Sequence, residues 1–292
     1  MPSFMDLLLQ PLSHPFMVRG LIAAVLVGVV CAILGAYVVL RGMAFLGDAL
    51  AHSILPGVAI GYLIGGGARG PLFWWGMAAG IVTALGIGAI SRQGEIKEDT
   101  AIGVIFAGML ALGVALISTT RSYSVDLAHF MFGDVLGVSS GDLVLTAVFG
   151  ALVLAIVFAF YKEFLVYAFD PLLAATLRVP TRFFRYLLLV MLAVTIVISL
   201  QTVGVALMVA MLVTPAATAL LLTRRLPAMM GLSAALGAFS AIAGLYLSYY
   251  VNVASGAAIV LIATALFVLA FVVAPGRGVL WRLVSRDAYH RT

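Results

Sequence analysis

The stretch "GDALAHSILPGVA" (47–59) places a carboxylate and an imidazole inside a long apolar segment. Asp48 and His52 are four residues apart, so in a helix they share one face and lie about 5–6 Å from each other. An ionised side chain at the centre of a bilayer costs at least about 2.5–3.5 kcal/mol, and such groups usually face a cavity or a partner. A carboxylate oxygen and an imidazole nitrogen are suitable ligands for a divalent transition metal. The spacing therefore predicts a metal-binding face, with a structural Asp–His contact near the helix start as the alternative.

Two further features bear on this predicted site. Pro56 has no amide hydrogen, so the carbonyl of His52, four residues earlier, loses its helical partner and is open to water or an ion. Ser53 lies beside it. Because one Asp and one His do not complete a coordination shell, we predict a homodimer whose two-fold axis brings two copies of the pair together. Two carboxylates would then neutralise a divalent cation.

The composition indicates an integral membrane protein. Hydrophobic residues make up 64% of the 292 residues and charged residues only 9%, whereas soluble domains carry about a quarter charged residues. The continuous apolar runs exclude a β-barrel, whose wall needs alternating hydrophobicity. We therefore predict an all-α protein with about nine membrane-spanning helices. The predicted spans are 20–40, 44–65, 71–90, 100–118, 143–161, 186–200, 203–222, 228–250 and 256–274.

The number of spans depends on one long apolar run. Residues 186–223 contain no charge over 38 residues, about 57 Å as a helix and too long for one crossing. We expect a fold-back near "SLQTVG" (199–204); a single span with a re-entrant piece would give eight crossings instead. Nine spans place the basic clusters and Arg41 in the cytoplasm, as the positive-inside rule requires, with the N-terminus outside. We expect no cleavable signal peptide, because the first apolar run is long and lacks a basic n-region.

Other polar side chains are weaker candidates. Four of them either line a path or bond to their own helix backbone, which is the commoner arrangement for threonine: Gln201, Thr202, Thr214 and Thr218. Met208 and Met211 are expected to be packing residues. The predicted external loop, 119–142, carries four cation-attracting side chains. There are three alternatives for these residues: they attract cations, they contact a docking protein, or they are simply solvated. The residues are Asp126, His129, Asp134 and Asp142.

The sequence lacks several catalytic motifs. It contains no GxxxxGK[ST], and its lysines are Lys97 and Lys162, so it supplies no P-loop lysine for ATP. HExxH is also absent, which disfavours an intramembrane metalloprotease. Cys31 is the single cysteine, which excludes disulfides and cysteine metal clusters within the chain. The sequence pI near 9.6 reflects cytoplasmic loop charge and implies no nucleic-acid partner. If transport is driven by ATP, the motor is another polypeptide.

Five stretches carry a resemblance to a known family: "LRGMAFLGDALAHSILPGVAIGY" (40–62), "EDTAIGVIFAGMLALGVALIS" (98–118), "HFMFGDVLGVSSGDL" (129–143), "FDPLLAATLRVP" (169–180) and "VGVALMVAMLVTPAATALLL" (203–222). The chain resembles, almost end to end, the membrane permease subunit of ABC importers for manganese, zinc or iron. The resemblance implies a single permease domain over 1–292 in the cell membrane of a prokaryote, with a fold similar to that of vitamin-B12-type importers. It also implies a second copy of the chain, cytoplasmic ATPase subunits, an extracytoplasmic metal-binding protein and surrounding lipid as partners.

The resemblance assigns roles to particular residues. The metal-contacting Asp and His of the family correspond to Asp48 and His52, and its coupling segment corresponds to 169–180, including Asp170, Pro171 and Ala174. The chain departs from the family at His129, a position that need not be histidine in relatives. No permanently bound cofactor is implied, since the metal is the transported substrate.

The cytoplasmic coupling loop, 162–185, can also be interpreted from its residues alone. "DPLLAATL" predicts a short helix with Asp170 at the N-cap and Pro171 at the first helical position. A rigid helix between two spans is suited to conveying motion from an attached motor. An ordinary amphipathic helix at the membrane interface is the alternative.

We therefore expect the permease subunit of an ATP-driven importer for divalent metals, with manganese favoured over zinc or iron. The substrate site should bind weakly, because transport requires release as well as capture. A secondary carrier that uses the Asp48–His52 pair as a proton relay is the alternative, and a membrane scaffold in which the pair is structural is a second one. The two alternatives need no ATP.

Overall fold

A computed structural model describes residues 9–66, 68–91, 97–118 and 135–274, and within these ranges the chain forms helices and no strands. A 3-10 turn at Pro11–Ser13 precedes the first helix, and another at Val135–Gly137 precedes the sixth. The α-helices are α1 (Pro15–Leu40), α2 (Ala44–Ser53), α3 (Leu55–Gly65), α4 (Arg69–Ile90), α5 (Glu98–Ser118), α6 (Ser140–Ala159), α7 (Tyr161–Phe169), α8 (Pro171–Thr176), α9 (Thr181–Val203), α10 (Val205–Leu222), α11 (Leu226–Val251) and α12 (Ser255–Val273).

The described residues contain nine helical segments that are long and apolar enough to cross a membrane, which confirms the predicted number. Helices α2 and α3 together form one of these segments, Ala44–Gly65. The long uncharged run divides at Gly204, as predicted, into two segments that each reach spanning length. Gly204 has a φ of 81°, a left-handed conformation that is unfavourable for residues with a Cβ atom but accessible to glycine. The described helices therefore favour nine crossings over eight.

Several helices begin earlier than the sequence predicted. Helix α1 starts at Pro15, before the predicted residue 20, and α9 starts at Thr181, before the predicted residue 186. Helix α6 starts at Ser140 because Ser139 and Asp142 form a capping box: the Asp142 N–H donates to the Ser139 hydroxyl, and the Ser139 N–H donates to the Asp142 carboxylate, both at 3.2 Å. Asp142 was predicted in the external loop. It lies instead in the first turn of α6.

Helix α1 is the centre of the bundle. It packs most extensively against α10 and α11, and also contacts α6 and α9. A Cβ atom on Gly35 would overlap the carbonyl oxygen of Leu212 on α10, and one on Gly237 of α11 would lie 2.7 Å from the carbonyl oxygen of Gly28. Small residues permit this close approach, which gives van der Waals contact where lipid supplies no hydrophobic driving force.

A second group of helices holds the segment with the predicted site. Helix α3 packs closely on α4, α4 packs on α9, and both α2 and α3 contact α5. Gly61 and Gly65 lie against Pro71 of α4: a Cβ atom would meet the Pro71 carbonyl oxygen at 2.7 Å and the Pro71 ring at 2.6 Å, respectively. These two glycines therefore let α3 and α4 approach each other closely.

The two ends of the bundle are distinguished by different contacts. At one end, Arg41 after α1 contacts both Glu98 at the start of α5 and Tyr167 on α7. At the other end, a cavity of about 940 Å³ lies between the first residues of α1, α10 and α12 and the last residues of α11. This arrangement of helix ends is the alternation that nine crossings require.

The α1–α10 contact predicts a glycine that tolerates no side chain. Gly35→Ala should destabilise the protein by about 1–3 kcal/mol, because the added methyl group overlaps backbone that cannot rotate away. Thermal unfolding of the detergent-solubilised protein should show a lower midpoint. Gly231→Ala is the matched control, since a Cβ atom there meets nothing within 4 Å. Equal midpoints for the two variants would contradict the tight contact.

Candidate functional site

Helix α2 is set between two changes in backbone direction. Gly42, with a φ of 70°, separates it from α1, and Ile54 interrupts the helix two residues after His52. Pro56 then lies in the first turn of α3, where a missing amide hydrogen is tolerated. One face of α2 is buried, and Gly47 on that face approaches the Leu212 side chain so closely that a Cβ atom would lie 2.6 Å from it.

Asp48 and His52 converge on the accessible face of this short helix. The His52 Nε2 atom lies 3.5 Å from the Asp48 Oδ1 atom, and the two side chains are 24% and 39% exposed, respectively. This separation is too long for a strong hydrogen bond. Two such donors bound to one metal ion at about 2.1 Å in a tetrahedral arrangement would lie about 3.4 Å apart. The 3.5 Å separation is therefore compatible with both donors binding one metal ion.

Aromatic rings border the pair on one side. The Phe106 ring of α5 meets the His52 ring edge to face at a centroid distance of 6.1 Å, and it meets the Phe45 ring at 5.9 Å. Phe45 lies on the same face of α2 as Asp48 and is 50% exposed. The Phe106 contact restricts rotation of the imidazole. Sequence analysis missed Phe106, because a phenylalanine in an apolar helix has no feature that separates site contact from packing.

Among the described residues, no third ligand-type side chain joins Asp48 and His52. In the part of the chain that the structure describes, no group of three or more His, Cys, Asp or Glu side chains is arranged to hold a metal. Ser53, which lies beside His52 in the sequence, is buried and donates its hydroxyl to the Ala49 carbonyl at 2.6 Å. The pair and its exposed face are therefore open to ligands from another molecule.

The weaker candidates divide into three groups. Thr202 and Thr218 are buried and donate to carbonyl oxygens of their own helices, at 3.0 Å to Ser199 and 2.7 Å to Thr214. Met208 and Met211 are buried in the core, as predicted. Gln201 and Thr214 are half-buried. The two threonine hydroxyls are thus directed at backbone and not at a path.

Of the four candidates in the predicted external loop, the structure describes only Asp142. Asp126, His129 and Asp134 lie outside the described residues. Asp142 is engaged in the capping box, where its carboxylate also accepts from the Ser139 hydroxyl at 2.7 Å. Its position is explained by the start of α6.

The segment predicted to couple the permease to a motor has the expected local structure. The Leu173 N–H donates to the Asp170 Oδ1 atom at 3.0 Å, which makes Asp170 the N-cap, and Pro171 is the first residue of α8. Ala174 is fully buried, whereas Leu173 and Leu177 are exposed. Arg178 ends the helix with a φ of 58°, and the Val179 N–H donates to the Ala174 carbonyl at 3.0 Å. Helix α8 is thus fixed at both ends and presents leucines on its surface.

Helix α7, which leads into α8, was not predicted separately within the coupling loop. Its Phe164 and Tyr167 side chains are buried, and the Phe164 ring packs edge to face on Phe184 of α9 at 5.2 Å. Burial raises the pKa of the Tyr167 hydroxyl, while the nearby Arg41 and Arg185 cations oppose that rise. The coupling loop is therefore a packed pair of helices.

Comparison with known proteins identifies the family. Residues 13–274 match the ABC 3 transport family. The chain belongs to this family. A manganese transport system membrane protein of Halalkalibacterium halodurans is 48% identical over 273 residues, which cover 94% of this chain and 92% of that protein. A probable iron transport system membrane protein of Haemophilus influenzae is 40% identical over 265 residues, covering 91% and 96%, respectively.

A solved structure shares the fold of this ABC 3 transport protein. PsaBC from Streptococcus pneumoniae in complex with Fab matches with a TM-score of 0.82 and 38% identity, covering 98% of this chain and 100% of that chain. The protein is therefore a permease of a metal ABC transporter, and a multi-pass protein of the prokaryotic plasma membrane. The predicted family and the predicted fold, similar to vitamin-B12-type permeases, are confirmed.

The Phe106–His52 contact predicts a modest role in metal affinity. Phe106→Ala removes an edge-to-face contact worth about 0.5–1.5 kcal/mol and frees the imidazole, so metal should bind about two- to tenfold more weakly. Isothermal titration with Mn²⁺ on the assembled transporter measures this change. Phe239→Ala, an exposed phenylalanine on α11, is the control and should leave the affinity unchanged. Equal affinities for both variants would show that Phe106 does not support the site.

Proposed function

We propose that the protein is the permease of an ATP-driven importer of divalent transition metals, with manganese the favoured substrate, and that it works as a homodimer. The observation that carries this proposal is the Asp48–His52 pair, whose donor atoms lie 3.5 Å apart on the accessible face of an interrupted spanning segment. Family membership supports metal transport in general. The substrate, the second copy and the energy source belong to the proposal.

The homodimer follows from the ligand count. One protomer offers one carboxylate and one imidazole on an open face. Two copies that meet through this face supply two of each, and the two carboxylates balance the charge of a divalent ion. In the absence of metal, two facing carboxylates repel each other and one of them favours a bound proton. Metal binding should therefore compete with protons.

The substrate follows from the chemistry of the donors and from the relatives. Carboxylate and imidazole suit manganese, zinc and ferrous iron, whereas copper(I) prefers sulfur ligands. The manganese-named protein of Halalkalibacterium halodurans is more similar to this chain than the iron-named protein of Haemophilus influenzae, at 48% against 40% identity. We therefore favour manganese. A transient site of few protein ligands also suits an ion that must leave again.

The energy source is assigned to partner subunits. The sequence lacks a P-loop, so ATP hydrolysis requires separate nucleotide-binding subunits. Helix α8, capped by Asp170 and anchored by the buried Ala174, is the proposed contact for them, since Leu173 and Leu177 are exposed on its surface. An extracytoplasmic metal-binding protein delivers the ion to the other end. ATP-driven closure then changes the side to which the paired Asp48–His52 sites open.

Transport assays on reconstituted vesicles test the proposal. The complex of permease and nucleotide-binding subunits should accumulate Mn²⁺ when ATP and the delivery protein are present, and competition with Zn²⁺ and Fe²⁺ ranks the substrates. Uptake driven by a proton gradient without ATP would favour a secondary carrier. No uptake under either condition, in a complex shown to be assembled, would favour a scaffold.

The metal-binding role of the pair predicts a strong effect of one substitution. Asp48→Asn removes a charged ligand from each protomer, so Mn²⁺ affinity should fall by more than about tenfold. Isothermal titration on the assembled complex measures it. Asp99→Asn, an exposed carboxylate in the first turn of α5, is the matched control and should bind Mn²⁺ normally. Unchanged affinity in Asp48→Asn would refute the site.

The coupling role of α8 predicts a separate defect. Asp170→Arg removes an N-cap worth about 0.5–2 kcal/mol and places a cation at the positive end of the helix. Transport and metal-stimulated ATPase activity should both fall, while Mn²⁺ affinity stays at the wild-type value. Asp170→Asn is the control, because asparagine is an equally good N-cap. Normal transport by Asp170→Arg would remove the coupling assignment.

A further inference from the structure

Arg41 joins the two regions that the proposed function assigns to metal and to motor. Its main chain ends α1, and only Gly42 and Met43 separate it from the start of α2, which carries Asp48. Its side chain extends in the opposite sense, towards α5 and α7, and is only 11% exposed. The guanidinium therefore contacts two elements, α5 and α7, while the main chain of Arg41 leads into α2.

Two contacts connect this guanidinium to the segment next to α8. The Arg41 Nη1 atom donates to the main-chain oxygen of Tyr167 at 3.3 Å, and the Arg41 Cζ atom lies 4.3 Å from the centre of the Tyr167 ring. Tyr167 is buried on α7 and lies three residues before Asp170, the N-cap of α8. Because the contact involves backbone as well as ring, a shift of α7 must move or break it.

A third contact connects the same guanidinium to the metal face. The Arg41 Nη2 atom lies 3.6 Å from the Glu98 Oε2 atom at the start of α5. Two turns further along α5, Phe106 contacts the imidazole of His52. Arg41 is thus linked to the predicted metal ligands by two routes, through the chain into α2 and through Glu98 and α5.

The guanidinium is incompletely satisfied in this arrangement. The Arg41 Nε atom is buried, and no residue that the structure describes accepts a hydrogen bond from it. A buried donor without an acceptor is unfavourable. The contacts that hold Arg41 in this position are therefore not fully satisfied.

We propose that Arg41 is a positioning residue that couples movement of α7 and α8 to the geometry of the Asp48–His52 pair. The inference rests on the proposed function, because it takes α8 as the motor contact and the pair as the substrate site. Motion of α8 is transferred by Tyr167 to the guanidinium, and from there to α2 and α5. The physical requirement is a rigid fork of donors that holds the main-chain oxygen and the carboxylate together, which lysine does not provide.

The test measures coupling and binding separately in the reconstituted complex with its nucleotide-binding subunits. In Arg41→Gln, the number of Mn²⁺ ions moved per ATP hydrolysed should fall at least about fivefold. The Mn²⁺ affinity measured by isothermal titration should stay within twofold of the wild-type value, roughly 0.4 kcal/mol. Arg41→Lys keeps the charge and loses the fork, so it should recover only part of the ratio. Arg224→Gln, an exposed arginine between α10 and α11, is the matched control with a normal ratio.

The outcomes distinguish this inference from the proposed function. If the wild-type complex moves Mn²⁺ without ATP, the proposed function fails whatever Arg41 does. If the wild type is driven by ATP and assembled Arg41→Gln keeps the normal ratio, only the role of Arg41 is overturned. Should Arg41→Gln fail to assemble, Glu98→Gln, which leaves the Tyr167 contacts in place, decides the matter. A ratio lowered at least about twofold supports the inference, and an unchanged ratio overturns it.

Discussion

The cost of an ionisable group in hydrocarbon is the constraint on which this structure depends. Backbone polar groups face a similar cost, because lipid offers them no hydrogen bonds, and they avoid it by forming helices. Asp48 and His52 meet it by sharing one face of a short helix, with their donor atoms 3.5 Å apart and partly exposed. The accessible face of this helix carries a carboxylate and an imidazole, so its composition differs from that of a surface that contacts lipid. In the proposed homodimer, a second copy and a cation cover this surface.

The glycines allow close helix packing, which positions the segment that carries Asp48 and His52. Gly35 brings α1 onto the backbone of α10, and Gly47 brings α2 onto the Leu212 side chain of that same helix. The site-bearing segment is thereby attached to the centre of the bundle on one side only. Its other face is left for Phe45, Asp48 and His52, which explains how a single helix is both firmly placed and open.

Much of this was predictable because hydrophobicity and spacing act locally. The nine spans, the break at Gly204 and the N-cap at Asp170 each follow from residues within a few positions of one another. What was not predictable depends on distant segments. The contact of Phe106 with His52 joins α5 to α2, and Asp142 was placed in a loop because the capping box with Ser139 was overlooked. Residues 119–134, with His129, stay a prediction.

The two functional regions are separate in sequence, and the fold connects them at one end of the bundle. Asp170 and Ala174 position α8, whereas Asp48 and His52 lie on α2. If Arg41 links the two regions as proposed, these helices need no direct contact with each other. An arginine suits this position because its planar fork holds a carbonyl and a carboxylate at once. In the proposed mechanism, the transporter binds its ion weakly and still responds to its motor. Because Arg41 is not itself a proposed metal ligand, its contacts can change in response to the motor without adding a ligand that would bind the ion more tightly.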